Sequence, residues 1–181
     1  MPCKFLLAAA AATLSAGLAG CATNEAAVSA AAAGDMTPTA RDAYVGMAAA
    51  SDMYEIQSSE LARTRARSPA VRDFAQMMIT DHTNTTRQLM AAASAAGMPP
   101  MTPALLPMQA SMMAQLRAAP AGNFDRVYLD QQVQAHQMAL ALHGNYAQNG
   151  DSPPLRQVAA TATPIVQGHL DRVRQLAASG G

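Results

Sequence analysis

The chain has no tryptophan, three phenylalanines and four tyrosines in 181 residues, and aromatic or β-branched side chains rarely form runs. Sheets have little to be built from in such a composition. Its only cysteines are Cys3 and Cys21, which excludes a disulfide framework and a thiolate metal site. Neither sign of charge is in excess: twelve basic residues, nearly all scattered arginines, balance twelve acidic ones, so nucleic acid is not an expected partner. A glycine-rich phosphate loop is missing, and no serine is spaced with a histidine and a carboxylate as in a catalytic set. The longest apolar stretch, Phe5 to Ala19, is too short to span a bilayer comfortably.

That stretch has another reading. Met1 to Lys4 is a short basic start, the apolar run comes next, and Leu18-Ala19-Gly20-Cys21 closes it, the order of a secretory signal ending at its cleavage site. These four residues resemble the bacterial lipobox, in which the cysteine is acylated and becomes the first mature residue. The alternative is an ordinary signal peptide cut after Val28-Ser29-Ala30, with Cys21 lost. On the lipobox reading, residues 1–20 are the signal peptide and Cys21 is the lipidation site. Stable anchoring takes two or more acyl chains. Position 22 is alanine rather than aspartate, so resemblance to lipoprotein sorting rules implies the outer membrane, facing the periplasm. Residues 21–38 are small and polar with nothing large to bury and read as a flexible tether. Residues 39–178 remain as one domain of ordinary size.

Much alanine and thirteen methionines are helix-bundle material. Thr39 is expected to cap a first helix running to about Arg67, and Ser68-Pro69 opens a second that ends at Gly97. Pro99, Pro100, Pro103, Pro107 and Pro120 break the next stretch, although Leu105, Leu106, Gln109, Met112, Met113 and Leu116 suit a short helix. Asn123 then caps a segment ending at Asn149-Gly150, and Asp151-Ser152-Pro153 opens the last. The four long segments make two antiparallel hairpins. Joined by a long connection they give an all-α, ferritin-like four-helix bundle with the extra helix in the crossover; a simple up-down bundle with that helix across one end is the alternative.

Histidines interrupt the apolar seams. Val71, Ala75, Met78, His82, Thr85, Leu89 and Ala92 recur at alternating steps of four and three, as do Leu155, Val158, Ala162, Ile165, His169, Val173 and Leu176. His136 lies on the Leu129, Val133, Leu140 row of its helix, where Phe124, Tyr128, Ala135 and Met138 make a second, competing apolar row, and the first helix turns Ser51, Tyr54, Glu55 and Ser58 inward. At 1.5 Å per residue, Glu55 and His82 start within roughly 3 to 5 Å of one height, whereas His169 and His136 are offset by roughly 7 to 8 Å, which a kink at Pro164 would partly close. Each long helix thus offers one inward polar group: Glu55, His82, His136 and His169. Three imidazoles and a carboxylate suit a single zinc, copper or iron ion, with Asp81 and Asp125 as further ligands or as holders of the imidazoles. The first reading, though, is a purely structural layer in which neutral histidines bond Glu55, Thr85 and Gln132, the domain acting as a binding or structural module of unknown activity, with the metal ion as the alternative. His143, nearer its helix end, is expected to be partly exposed. The methionines clustered at Met98, Met101, Met108, Met112 and Met113 read as gap-filling packing, as Met77, Met78, Met90 and Met138 do elsewhere in the chain; soft donors for monovalent copper are the alternative.

The stretches "FAQMMITDHTNTTRQL", "FDRVYLDQQVQAHQMALAL" and "LRQVAATATPIVQGHLDRV", with Glu55 followed by "IQSSELA", resemble the domain-of-unknown-function 4142 family. Its members are often labelled outer membrane proteins of ferritin-like fold. The resemblance spans Arg41 to about Leu176 and implies a ferritin-like bundle in the cell envelope with no settled activity. The family's motif positions fall on Glu55, Asp81, His82, Phe124, Asp125, His136 and His169. Ile79, Val133 and Val166 stand three residues before the three histidines, so the Glu-x-x-His motif of di-iron carboxylate sites is missing.

Overall fold

A computed structural model describes residues 38–180. The signal peptide, Cys21 and the tether up to residue 37 lie outside the described residues. Five helices occur in order: α1 (Arg41–Arg65), α2 (Pro69–Ala95), α3 (Pro107–Ala118), α4 (Phe124–Asn149) and α5 (Pro153–Ala178). None is long and apolar enough to cross a membrane.

Two apolar clusters show which way each helix runs. One gathers Ala62 and Ala66 from the end of α1, Val71 and Phe74 from the start of α2, Phe124 and Tyr128 from the start of α4, and Val173 and Leu176 from the end of α5. The other joins Tyr44, Leu89, Leu142, Tyr146 and Leu155 from the opposite helix ends. Helices α1 and α2 form one hairpin, α4 and α5 the other; α1 packs on α4 and α2 on α5. Helices α2 and α4 are therefore parallel and diagonal, and the segment between them travels the full length of the bundle. This is the ferritin-like crossover rather than the up-down alternative. Helix α3 rides on that crossover against α1 and α4, where Met112 and Met113 meet Tyr54 and Ala135.

The helix ends obey backbone chemistry more than side-chain caps. α2 stops where Gly97 takes φ of 74°, with Met98 N–H bonding Ala93 O and Gly97 N–H bonding Ser94 O, a Schellman closure. Thr39 does not cap α1, which begins at Arg41; its carbonyl accepts from the Asp151 amide instead. α1 ends at Arg65, short of the expected Arg67, because Ala66 and Ser68 are extended ahead of Pro69. The last carbonyls of α3 are held by Arg65, which donates to Arg117 O at 2.8 Å and Ala119 O at 2.6 Å while lying 4.6 Å over the Phe124 ring.

The buried faces follow the expected stripes closely on α2, whereas on α4 Val133 and Leu140 are only half-buried while Gln132, Ala139 and Leu142 are buried, and a clear departure comes along α5. There Val166 is buried and Ile165 is 37% exposed, since the apolar row steps from Ala162 to Val166 to His169.

Candidate metal centre

Between the two apolar clusters the core turns polar. His82 of α2, His136 of α4 and His169 of α5 are 4%, 1% and 5% exposed, which removes bulk water from all three. Their ring centroids stand 5.5 to 5.9 Å apart, and one nitrogen from each lies within 4.8 Å of the other two. The offset expected between His136 and His169 closes for a geometric reason. Side chains lean toward their own helix N-terminus; α4 and α5 are antiparallel, so the two imidazoles lean toward each other.

Each ring is fixed from behind by an acceptor. His82 Nδ1 lies 2.8 Å from Asp52 Oδ1, His136 Nδ1 donates to the Gln132 carbonyl at 2.8 Å, and His169 Nε2 lies 2.9 Å from Asp81 Oδ2. A carbonyl or carboxylate can only accept, so these three nitrogens carry hydrogens. The remaining nitrogens, His82 Nε2, His136 Nε2 and His169 Nδ1, have no protein partner.

Electrostatics sorts the three. Burial, then the charge of His82, pushes His136 down to about 3. Burial and His82 also lower His169, against the pull of Asp81. Both rings are neutral and present bare lone pairs. Burial pulls His82 the same way, but the Asp52 hydrogen bond and the charges of Asp52, Glu55 and Asp81 outweigh it and raise its pKa.

Glu55 does not join the three imidazoles. It is 2% exposed on the face toward α4, and its Oε1 is 3.7 Å from His136 Nδ1, the nitrogen already bonded to Gln132. Of the expected Glu55-plus-three-histidine set, the three histidines bring their donor atoms within 4.8 Å, and Glu55, its Oε2 buried without a partner, stands beside His136 outside that group. Burial, eased by His82 and a Gln132 hydrogen bond, raises the Glu55 carboxyl to about 7. Asp81 stands where expected, behind His169. Asp125 does not: its carboxylate accepts from the amides of Arg67 and Ser68 at 2.8 to 3.1 Å, closing the α1–α2 turn. His143 is buried rather than partly exposed, because Tyr44 Oη lies 3.0 Å from its Nδ1.

Asp52 is the functional residue that sequence reasoning missed. It is 6% exposed and also accepts from the hydroxyls of Thr85 and Thr86. A signal was available: Ala48, Asp52, Glu55, Ser59 and Ala62 recur at steps of four and three, and all are buried. The stripe through Ser51 passes one residue beside it.

Three imidazoles with fixed tautomers, two of them braced by carboxylates, are the donor arrangement of zinc and copper proteins. Donors on one tetrahedral ion at 2.0–2.1 Å stand about 3.4 Å apart, so the rings need to tighten by no more than about 1.4 Å.

Fold and site together define a crossover four-helix domain with a histidine layer at mid-height. By its sequence, the chain belongs to the family described as domain of unknown function (DUF4142), whose model matches residues 25–176. Comparison with curated proteins returns no match. Among solved structures, the chain is similar to CopM in the Cu(II)-bound form at a TM-score of 0.66 and 18% identity, covering 78% of this chain and 98% of that one. CopM in the Ag-bound form gives a TM-score of 0.64 at 19% identity over 76% and 94% of the two chains. A DUF305 fragment from Deinococcus radiodurans gives 0.60 at 20% identity over 75% and 95%. At these identities the likeness establishes a shared helical fold.

Proposed function

We propose that the protein is an envelope lipoprotein whose bundle binds one transition-metal ion, copper or zinc, through His82, His136 and His169. The observation that carries this reading is three buried rings, each with one anchored and one unpartnered nitrogen, that bring one nitrogen apiece within 4.8 Å of the other two. A layer serving only helix register needs the anchoring bonds; it gains nothing from three buried nitrogens left without partners, each costing about 1 to 3 kcal/mol. Copper is further supported by the CopM structures of the same fold, which are copper- and silver-bound. Storage, sensing or redox protection are the roles open to such a site.

Metal analysis of protein purified from Asp35 onward, after loading with Zn(II) or Cu(II), tests the reading. One ion per chain, lost in His136→Ala, is expected; substoichiometric metal under every loading condition overturns it and leaves the structural layer. The envelope part rests on the Leu-Ala-Gly-Cys21 sequence and is tested separately. Cys21→Ser should move the protein from the membrane to the soluble fraction, and unchanged fractionation would refute the anchor.

A further inference from the structure

A second set of donors lies outside the histidine layer, under the crossover helix. Met108 and Met112 are four residues apart and share the inner face of α3. Met47 of α1 and Met138 of α4 come up beneath them, and the four side chains line one small, partly open cavity of about 20 Å³. Its polar lining includes Ser51 and Gln109, and Gln109 Oε1 is already engaged by the Leu106 amide. No charged side chain lines it.

We infer that this methionine cavity is a site for a soft monovalent cation, Cu(I) or Ag(I), held by thioether sulfur. A methionine used as filler closes a gap; here four of them surround one. The space admits a single sphere the size of a water molecule. A water needs two to four polar partners and would have only the Ser51 hydroxyl and the Gln109 amide among the lining side chains, whereas a soft cation would have four thioether sulfurs. The absence of a lining carboxylate favours one positive charge over two, because burying charge without a counter-charge grows steeply more costly. The site is independent of the proposed histidine centre, with different donors and different preferred ions.

Silver(I), which does not change oxidation state in air, is the probe. Titration of the chain carrying Cys3→Ser and Cys21→Ser, which removes the competing thiols, read by native mass spectrometry, is expected to show a bound Ag(I) that His82→Ala/His136→Ala retains and Met112→Leu/Met138→Leu holds at least tenfold more weakly. Leucine nearly conserves methionine's volume, and a thermal melt confirms that this variant is folded. In the unaltered chain, Ag(I) should also shield Met112 and Met138 from peroxide oxidation, measured on peptides. Equal silver uptake by the methionine variant, or oxidation unaffected by silver, overturns the proposal. Zinc uptake by the histidines is read in the same samples, so failure of either site is seen separately.

Discussion

Asp52 and His82, thirty residues apart on the two arms of the first hairpin, meet at 2.8 Å in the middle of the core. Both side chains are more than nine-tenths buried, and Thr85 and Thr86 donate their hydroxyls to the same carboxylate. A carboxylate so placed holds His82 in one orientation and offsets charge brought to its ring.

Removing either member therefore strands the other. His82→Leu should lower stability by about 3 kcal/mol, because the Asp52 carboxylate stays buried but loses its 2.8 Å imidazole partner. Urea unfolding at pH 7 measures this. A neutral or stabilising result would show that the layer tolerates apolar replacement and weaken the case for a charged pair.

Metal binding should appear as added stability. An ion held by the folded chain alone contributes about 2.7 kcal/mol when free metal is a hundredfold above its dissociation constant. Melting temperature should rise with Zn(II) in the unaltered protein and stay fixed in His169→Ala, as followed by circular dichroism.

His143 gives the acid limb of stability. Burial pushes it down to about 4 against an unfolded value of 6.5, although Asp52 pulls the other way. Between those values the unfolded chain binds more protons, so stability falls as pH drops, by about 2 kcal/mol at pH 5. His136, lowered to about 3, acts in the same direction, while the raised His82 opposes both. His143→Gln, which can keep a bond to Tyr44, should flatten the slope between pH 7 and 5 in denaturant titrations.

Gly150 is required for space. A Cβ there would lie 2.5 to 2.7 Å from the Tyr146 ring. That ring cannot yield, being stacked 3.8 Å from Tyr44 and tied through its hydroxyl to Asp151. Gly150→Ala should cost about 1 to 3 kcal/mol, measured as a lowered melting temperature.

The architecture was legible because proline and glycine mark nearly every helix boundary, and because the seams of α2 and α5 keep their period through His82 and His169. Direction of travel was not: the crossover depends on which hairpin faces pair, and apolar periodicity is alike for both topologies. The three histidines could be placed by counting, whereas their convergence needed the opposed lean of antiparallel helices. Asp125 misled because its contacts lie across a turn far along the chain, at Arg67 and Ser68. Glu55 and Asp52 share one stripe, and only the packing of α1 against both α2 and α4 decides which carboxylate meets which ring.

The full-length crossover has a kinetic corollary. His82 belongs to the first hairpin while His136 and His169 belong to the second, so an ion shared among them would rivet two halves that otherwise hold by side-chain packing and hydrogen bonds such as those of Asp125 and of His169 with Asp81. Loss of metal would then speed the parting of the hairpins far more than the fraying within either, and the unfolding half-life would report occupancy.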